Sequence, residues 1–281
     1  MSAFDADTAV TRVAAGVFQA EISPAWSVQR GPNGGYLAAL ILRALQITAG
    51  EEIDPRSLTL HYLAPPATGA CEIAVTMERA GRTMSMLSAR ISQGDRLCVL
   101  ALAAFSRPRT GLEFVEARMP EAPAPQDALP VPPGAGPTFW NNYEVRLAFG
   151  ALPFSGSESM RSGGWLRPRE ARAADTLFIA ALTDAWFPQI FTRLTAPVLA
   201  PTIDLTIHFR AQRPLERARP DDWYLLAVST RLATEGYFEE DAEVWSQDGR
   251  LLAQSRQLAL APLAEVVDDR GGQDDGIRTN G

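Results

Sequence analysis

The sequence predicts an α+β chain built from two repeats of one unit, each a long helix wrapped by a curved antiparallel β-sheet. Leu58-Thr59-Leu60-His61-Tyr62 lays onto Leu205-Thr206-Ile207-His208-Phe209 with both histidines in register. Ser92-Gln93-Gly94-Asp95-Arg96-Leu97 is echoed by Ser246-Gln247-Asp248-Gly249-Arg250-Leu251, a polar turn between apolar runs that reads as a hairpin. Between the copies, Glu116 to Pro137 is crowded with proline, alanine and glycine and has no apolar period, which marks a linker. The expected division is a first unit over 1–115, a linker over 116–137, a second unit over 138–265 and a disordered tail over 266–281.

In the first unit, Gly34 to Gly50 places Leu37, Leu40, Ile41, Ala44 and Leu45 at helical spacing, with Gly50 where a C-cap belongs. Runs from Ser57 to Leu63, Ala70 to Glu78, Arg82 to Ile91 and Arg96 to Phe105 alternate or are uniformly apolar and are separated by turn residues, so they are predicted strands. The second unit repeats the order. A strand over Tyr143 to Phe149 precedes a helix from about Asp175 to Phe187 stopped by Pro188, and strands begin at Thr202, Trp223, Phe238 and Arg250. Each helix has an apolar face that needs covering; a curved sheet supplies the cover, and two such units can pair edge to edge.

Composition narrows the function. The chain has 281 residues, 46% hydrophobic and 21% charged, and its net charge of -7 is the wrong sign for a nucleic-acid groove or an anionic membrane surface. Every basic residue is arginine, which excludes Schiff-base lysine chemistry and the lysine-dependent phosphate loop. His61, His208, Cys71 and Cys98 have no metal-ligand spacing, so neither metal nor cofactor is expected. The longest lipophilic runs, Tyr36 to Leu45 and Cys98 to Phe105, fall short of the roughly 20 residues of a membrane span. A polar, acidic start and cysteines in apolar strands point to a cytoplasmic chain with reduced thiols.

Gly31-Pro32-Asn33-Gly34-Gly35-Tyr36 at the first helix, the Leu-rich strand with His61, the Ala80-Gly81-Arg82-Thr83 turn and the duplicated hairpins together resemble the double-hotdog acyl-CoA thioesterases, over nearly all of residues 20 to 265. The resemblance implies an acyl-CoA substrate and a catalytic water held by an aspartate on the second helix, a threonine opening the next strand and a glutamine in the last strand. Asp184, Thr202 and Gln257 match those positions. Hydrolysis also needs donors for the oxyanion, for which the backbone N–H groups of Gly34 and Gly35 are the candidates. Since a thiol leaves with a pKa of roughly 8.5, little general acid is required, which suits a histidine-poor chain.

The residues themselves leave alternatives. Asp184 also fits the solvated stripe of an amphipathic helix. Strand alternation groups Thr202 with Asp204, Thr206 and His208 and away from the apolar face, so either the strand bends at its start or Thr202 is simply structural; Asp204 remains a rival carboxylate. Gln257 shares its face with Leu251, Ala253, Ser255 and Ala259, where an amide needs partners. The two histidines read as packed or hydrogen-bonded strand residues, and the aromatic residues at 139, 140, 165, 186 and 187 as core or acyl-pocket wall. No Gly-x-Ser-x-Gly elbow is present, and the histidines lie in the wrong element for a dehydratase. The rival function is a non-catalytic acyl-CoA or acyl-group binding protein. Without lysine, contacts to CoA phosphates fall to arginines or backbone amides. A duplicated chain supplies its own pairing, and homo-oligomers of that double unit are compatible with it.

Overall fold

The computed structural model of the chain describes residues 1–210 and 217–261; the tail expected at 266–281, with the last residues assigned to the second unit, lies outside them. The first half runs α1 (Ala3–Asp7), β1 (Val10–Ala14), β2 (Val17–Ile22), α2 (Gly34–Ala49), β3 (Asp54–Tyr62), β4 (Gly69–Arg79), β5 (Ser85–Gln93) and β6 (Arg96–Ser106). The second runs β7 (Leu129–Val131), β8 (Tyr143–Phe149), β9 (Arg161–Pro168), α3 (Thr176–Leu182), α4 (Ile190–Arg193), β10 (Thr202–Phe209), β11 (Tyr224–Ser229), β12 (Ala233–Thr234), β13 (Tyr237–Ser246) and β14 (Leu251–Leu260). The described strands form one 14-stranded antiparallel sheet in the order β1-β2-β4-β5-β6-β3-β10-β14-β13-β11-β9-β8-β7, with β12 paired to β13.

The sheet is symmetric about its middle. Thr59 of β3 pairs with its repeat mate Thr206 of β10, their hydroxyls 3.1 Å apart. On either side, Leu60 faces Leu205 and Leu58 faces Ile207, then His61 faces Asp204 and Ser57 faces His208. Exchanging each residue for its repeat mate reproduces every one of these pairs, so a pseudo-twofold axis passes through the two threonines. The edge-to-edge pairing of the two units is thus a continuous backbone ladder, in which a buried inward face specifies the register. Leu58, Leu60, Leu205 and Ile207 are fully buried on that face. His61 and His208 point the other way and are exposed, which corrects the packed role expected of them.

Both central helices lie on the inward face. Asn33 caps α2 by accepting from the Tyr36 N–H (2.9 Å), and Tyr36 to Leu42 are buried almost completely, because α2 is covered by the sheet and by α3. Asp175 caps α3, accepting from the Phe178 N–H at 2.9 Å. Here the sequence expectation fails: α3 stops at Leu182, not Phe187. Beyond it the backbone carbonyls find partners elsewhere. Asp184 C=O accepts from Asn33 Nδ2 (2.8 Å) and Ala185 C=O from Trp140 Nε1 (2.8 Å), while the Thr183 hydroxyl donates back to Ala180 C=O.

Other elements were not legible as strands. β9, which was not among the expected strands, carries Gly163 and Gly164; a Cβ at either would collide with the ring of Phe149 or Trp186, so these glycines give room for aromatic packing. The proline-rich stretch forms β7 against β8 and contributes buried Ala128 to a small cluster with Trp165, Leu225 and Trp245. Phe139, Trp165, Trp186 and Phe187 are buried and Trp140 is partly so.

The two halves' helices approach each other closely at Gly35. A Cβ there would overlap the backbone carbonyl oxygen of Ala181 and sit 3.1 Å from Asp184 Cβ. Gly35→Ala gains up to about 1 kcal/mol of helix propensity, but overpacking against backbone costs about 1–3 kcal/mol. We expect net destabilisation in urea unfolding; equal or higher stability would show that α2 and α3 are not in this contact.

Candidate active site

Asp184 leaves the end of α3 and enters the first turn of α2. Its Oδ2 accepts from the Gly35 N–H at 3.0 Å and from Asn33 Nδ2 at 3.0 Å. Its Oδ1 receives Gln257 Nε2 at 3.4 Å. The N-terminus of a helix carries partial positive charge and unpaired N–H donors, so α2 is a natural seat for this carboxylate. Enclosure still dominates: burial pushes the carboxyl up to about 6, against the opposing pull of Gly35 N–H, Gln257, Gly34 N–H and Asn33.

Gln257 reaches the same place from β14. Ala253, Ser255, Gln257 and Ala259 are buried in alternation as the sequence predicts, but Leu251, expected on the same face, is not on it: β14 is irregular at Leu252, which is buried in the core while Leu251 packs on the cluster of Trp165, Leu225 and Trp245. Thr202 joins Gln257 through an irregularity that alternation alone does not reveal. Thr202 pairs with Ala259 and Asp204 with Leu258, so Ile203 is an extra residue and β10 bulges there. The bulge turns Thr202 to the inward face, where its hydroxyl donates to Gln257 Oε1 at 3.0 Å. Asp204 stays in register with half-exposed Leu258 and exposed His61, on the outward face. The rival carboxylate is therefore on the wrong side of the sheet.

Gly34 and Gly35 lie against the carboxylate. The Gly35 N–H, expected to face an acyl oxygen, donates instead to Asp184, and the Gly34 N–H is directed at the same group. A Cβ on Gly34 would meet Asp184 Oδ2 and the Tyr62 hydroxyl, both at 2.9 Å; that hydroxyl donates to Gly34 C=O. Glycine is required here for close approach.

Two further residues complete the cluster. Asn33 was visible only as part of the helix-opening motif. Glu240 stands directly across from Gln257 on β13 and receives Gln257 Nε2 at Oε1 (2.8 Å) and the Gln189 N–H at Oε2 (2.6 Å). Burial pushes its carboxyl up to about 8; the charges of Asp184 and Glu239 add to this, while the Gln189 N–H and the Gln257 amide act against it. Phe238, Glu240, Ala242 and Val244 share the inward face. An acid at an inward position of an apolar alternation was the available signal. Among the described residues no group of three or more His, Cys, Asp or Glu side chains could hold a metal, and no helix is long and apolar enough to cross a membrane. A cleft of about 300 Å³, lined by Val28, Gly31, Pro32, Pro65 and Pro66 among others, borders the segment leading into Asn33.

Comparison with known proteins gives this arrangement a family. Residues 22–106 match the acyl-CoA thioesterase N-terminal domain and residues 118–261 the acyl-CoA thioesterase C-terminal domain. The chain is 26% identical to acyl-CoA thioesterase 2 of Haemophilus influenzae, over 83% of this chain and 88% of that one. Among solved structures, a hot dog fold protein of unknown function from Alicyclobacillus acidocaldarius superimposes with a TM-score of 0.87 at 28% identity, covering 94% of this chain and all of the other. Acyl-CoA thioesterase II of Mycobacterium marinum gives 0.75 at 19% identity, over 94% and 99%, a likeness of fold. With both domain models matched in order along a double hotdog fold, the chain belongs to the acyl-CoA thioesterase family of thioester hydrolases.

Proposed function

We propose that the chain hydrolyses acyl-CoA thioesters to free acid and CoA, using a water held by Asp184, Thr202 and Gln257. The observation that carries this reading is the single hydrogen-bonded chain that links Thr202, Gln257 and Asp184 at the N-terminus of α2. Asp184 is the base. Its carboxyl near 6 is ionised at neutral pH yet basic enough to take a water proton in the transition state. The water oxygen attacks the acyl carbon, its proton passes to Asp184, the C–S bond breaks and the thiolate recovers the proton. As Asp184 gains that proton its hold on the Gly34 and Gly35 N–H groups weakens, just as charge develops on the acyl oxygen beside the positive end of α2. The cleft beside Pro32 and Pro65, at the small end of the roughly 300–1,000 Å³ range of ligand pockets, is the proposed approach for the thioester. Buried free Cys71 and Cys98 support a reducing, cytoplasmic setting.

Hydrolysis of a panel of acyl-CoAs, followed with a thiol reagent, tests the reading. Asp184→Asn keeps shape but removes the base, so kcat should fall by roughly 10² to 10⁴ while the protein stays folded. Gln257→Ala and Thr202→Val should each lose less. Full activity in Asp184→Asn would remove this aspartate as the base; wild-type protein that binds acyl-CoA without turnover would establish the binding-protein alternative.

The acid limb of the kcat profile should fall with an apparent pKa near 6. Stability should show the matching trend. Both carboxyls are raised in the fold, so the native state holds the extra protons, and their contribution is full below about 4, the unfolded carboxyl range. It is lost as pH rises through about 6 and about 8, steps that belong to the pair because both contact Gln257. Urea unfolding across pH 4–9 should therefore show a falling component that is weakened in Asp184→Asn; the same slope in both proteins would contradict the burial argument.

A further inference from the structure

We infer that Glu240 is a positioning residue of the hydrolytic site: it fixes which way round the Gln257 amide lies, and thereby leaves the Thr202 hydroxyl oxygen free to accept a hydrogen bond from the water. The inference rests on the proposed role of Thr202, Gln257 and Asp184 in holding that water.

Glu240 and Gln257 are buried, 4% and 6% exposed, and face each other across β13 and β14. One oxygen of Glu240 is committed to the backbone N–H of Gln189, a donor that cannot be reversed. The other is left for the end of Gln257 that approaches it at 2.8 Å. That same end lies 3.4 Å from Asp184 Oδ1. With Glu240 ionised, a carbonyl oxygen there would confront two carboxylates, whereas an NH₂ satisfies both. Nε2 is held at this end, so Oε1 is turned to Thr202 and takes its hydroxyl proton.

The consequence falls on the water. A threonine hydroxyl has one proton and two lone pairs. With the proton committed to Gln257, Thr202 can only accept from a water, whose second proton is then free to point at Asp184. The water's own lone pair is left for the acyl carbon. Glu240 does not touch the water; it acts through the polarity of the amide chain. An apolar residue at this inward position would be less costly to bury than a carboxyl.

Glu240→Gln is the informative variant because it retains the shape. The new carbonyl must take the Gln189 N–H, so the new NH₂ confronts Gln257 Nε2 and drives that amide to reverse, turning its carbonyl toward Asp184. Measured above about pH 8, where wild-type Glu240 is ionised, kcat for acyl-CoA hydrolysis is expected to fall about 10- to 100-fold with KM within about twofold. In the Gln257→Ala background, adding Glu240→Gln should cause no further loss, since its effect passes through Gln257. Unchanged kcat in Glu240→Gln, or a loss that adds in full to that of Gln257→Ala, overturns the inference. Neutron diffraction of the wild-type protein decides it without turnover or a variant. Deuterons on the Gln257 atom facing Glu240, with the Thr202 deuteron directed at Gln257, support it, and the reversed amide overturns it. Wild-type protein that hydrolyses no acyl-CoA would refute the proposed function while the neutron result still judged the role of Glu240.

Discussion

The rest of the site depends on one buried charge, the Asp184 carboxylate, held between the first turn of α2 and the last strand of the sheet. An isolated carboxylate in such a place costs several kcal/mol. Hydrogen bonds from Asn33 and Gly35, each worth about 1.5–3 kcal/mol to a charged acceptor, and a helix N-terminus worth up to about 2 kcal/mol offset most of that. The offset is incomplete, and so the carboxyl rests near 6. On the proposed mechanism, that residue of unfavourable burial is what makes the group a competent base at neutral pH. A fully compensated carboxylate would be a poorer base.

Duplication built the frame, and divergence between the copies built the site. The twofold through Thr59 and Thr206 places the two halves' helices side by side under one sheet. α2 has 16 residues and offers its capped N-terminus; α3 has 7 and ends early. Had α3 continued to Phe187, Asp184 would lie on its flank. Because the helix ends at Leu182, the chain turns and delivers the carboxylate to Gly35, where the missing side chain leaves room for it. Asn33 serves both halves, capping α2 with its carbonyl and donating to Asp184 with its amide.

The sequence displays the frame more openly than the site. The repeat of Leu58 to Tyr62 in Leu205 to Phe209 announced two equivalent strands, though not that they pair with each other, and alternation placed Gln257 on the inward face of β14, because burial on one face writes itself into a strand's pattern. What escaped were departures from periodicity. The bulge at Ile203 carries Thr202 to the inward face; a bend at the start of this strand was one of two readings that alternation left open, and no composition signal decided between them. The early end of α3 depends on Asn33, Trp140 and Ser255, all distant in the chain, accepting the role of partners to its last carbonyls. β9 was hidden by Gly163 and Gly164, whose purpose is to accommodate rings from other elements. Asp184, Thr202 and Gln257 were drawn from a family resemblance; the geometry brings them together, and adds Asn33 and Glu240.

Asp184 is proposed to act through a water and not on the acyl carbon itself. A crystal structure of Asp184→Asn with an intact acyl-CoA bound tests this most directly. A water is expected within hydrogen-bond reach of residue 184 and Thr202 Oγ1, with its oxygen about 3–3.5 Å from the acyl carbon. An acyl carbon lying directly against residue 184, with no room for a water between them, would contradict it.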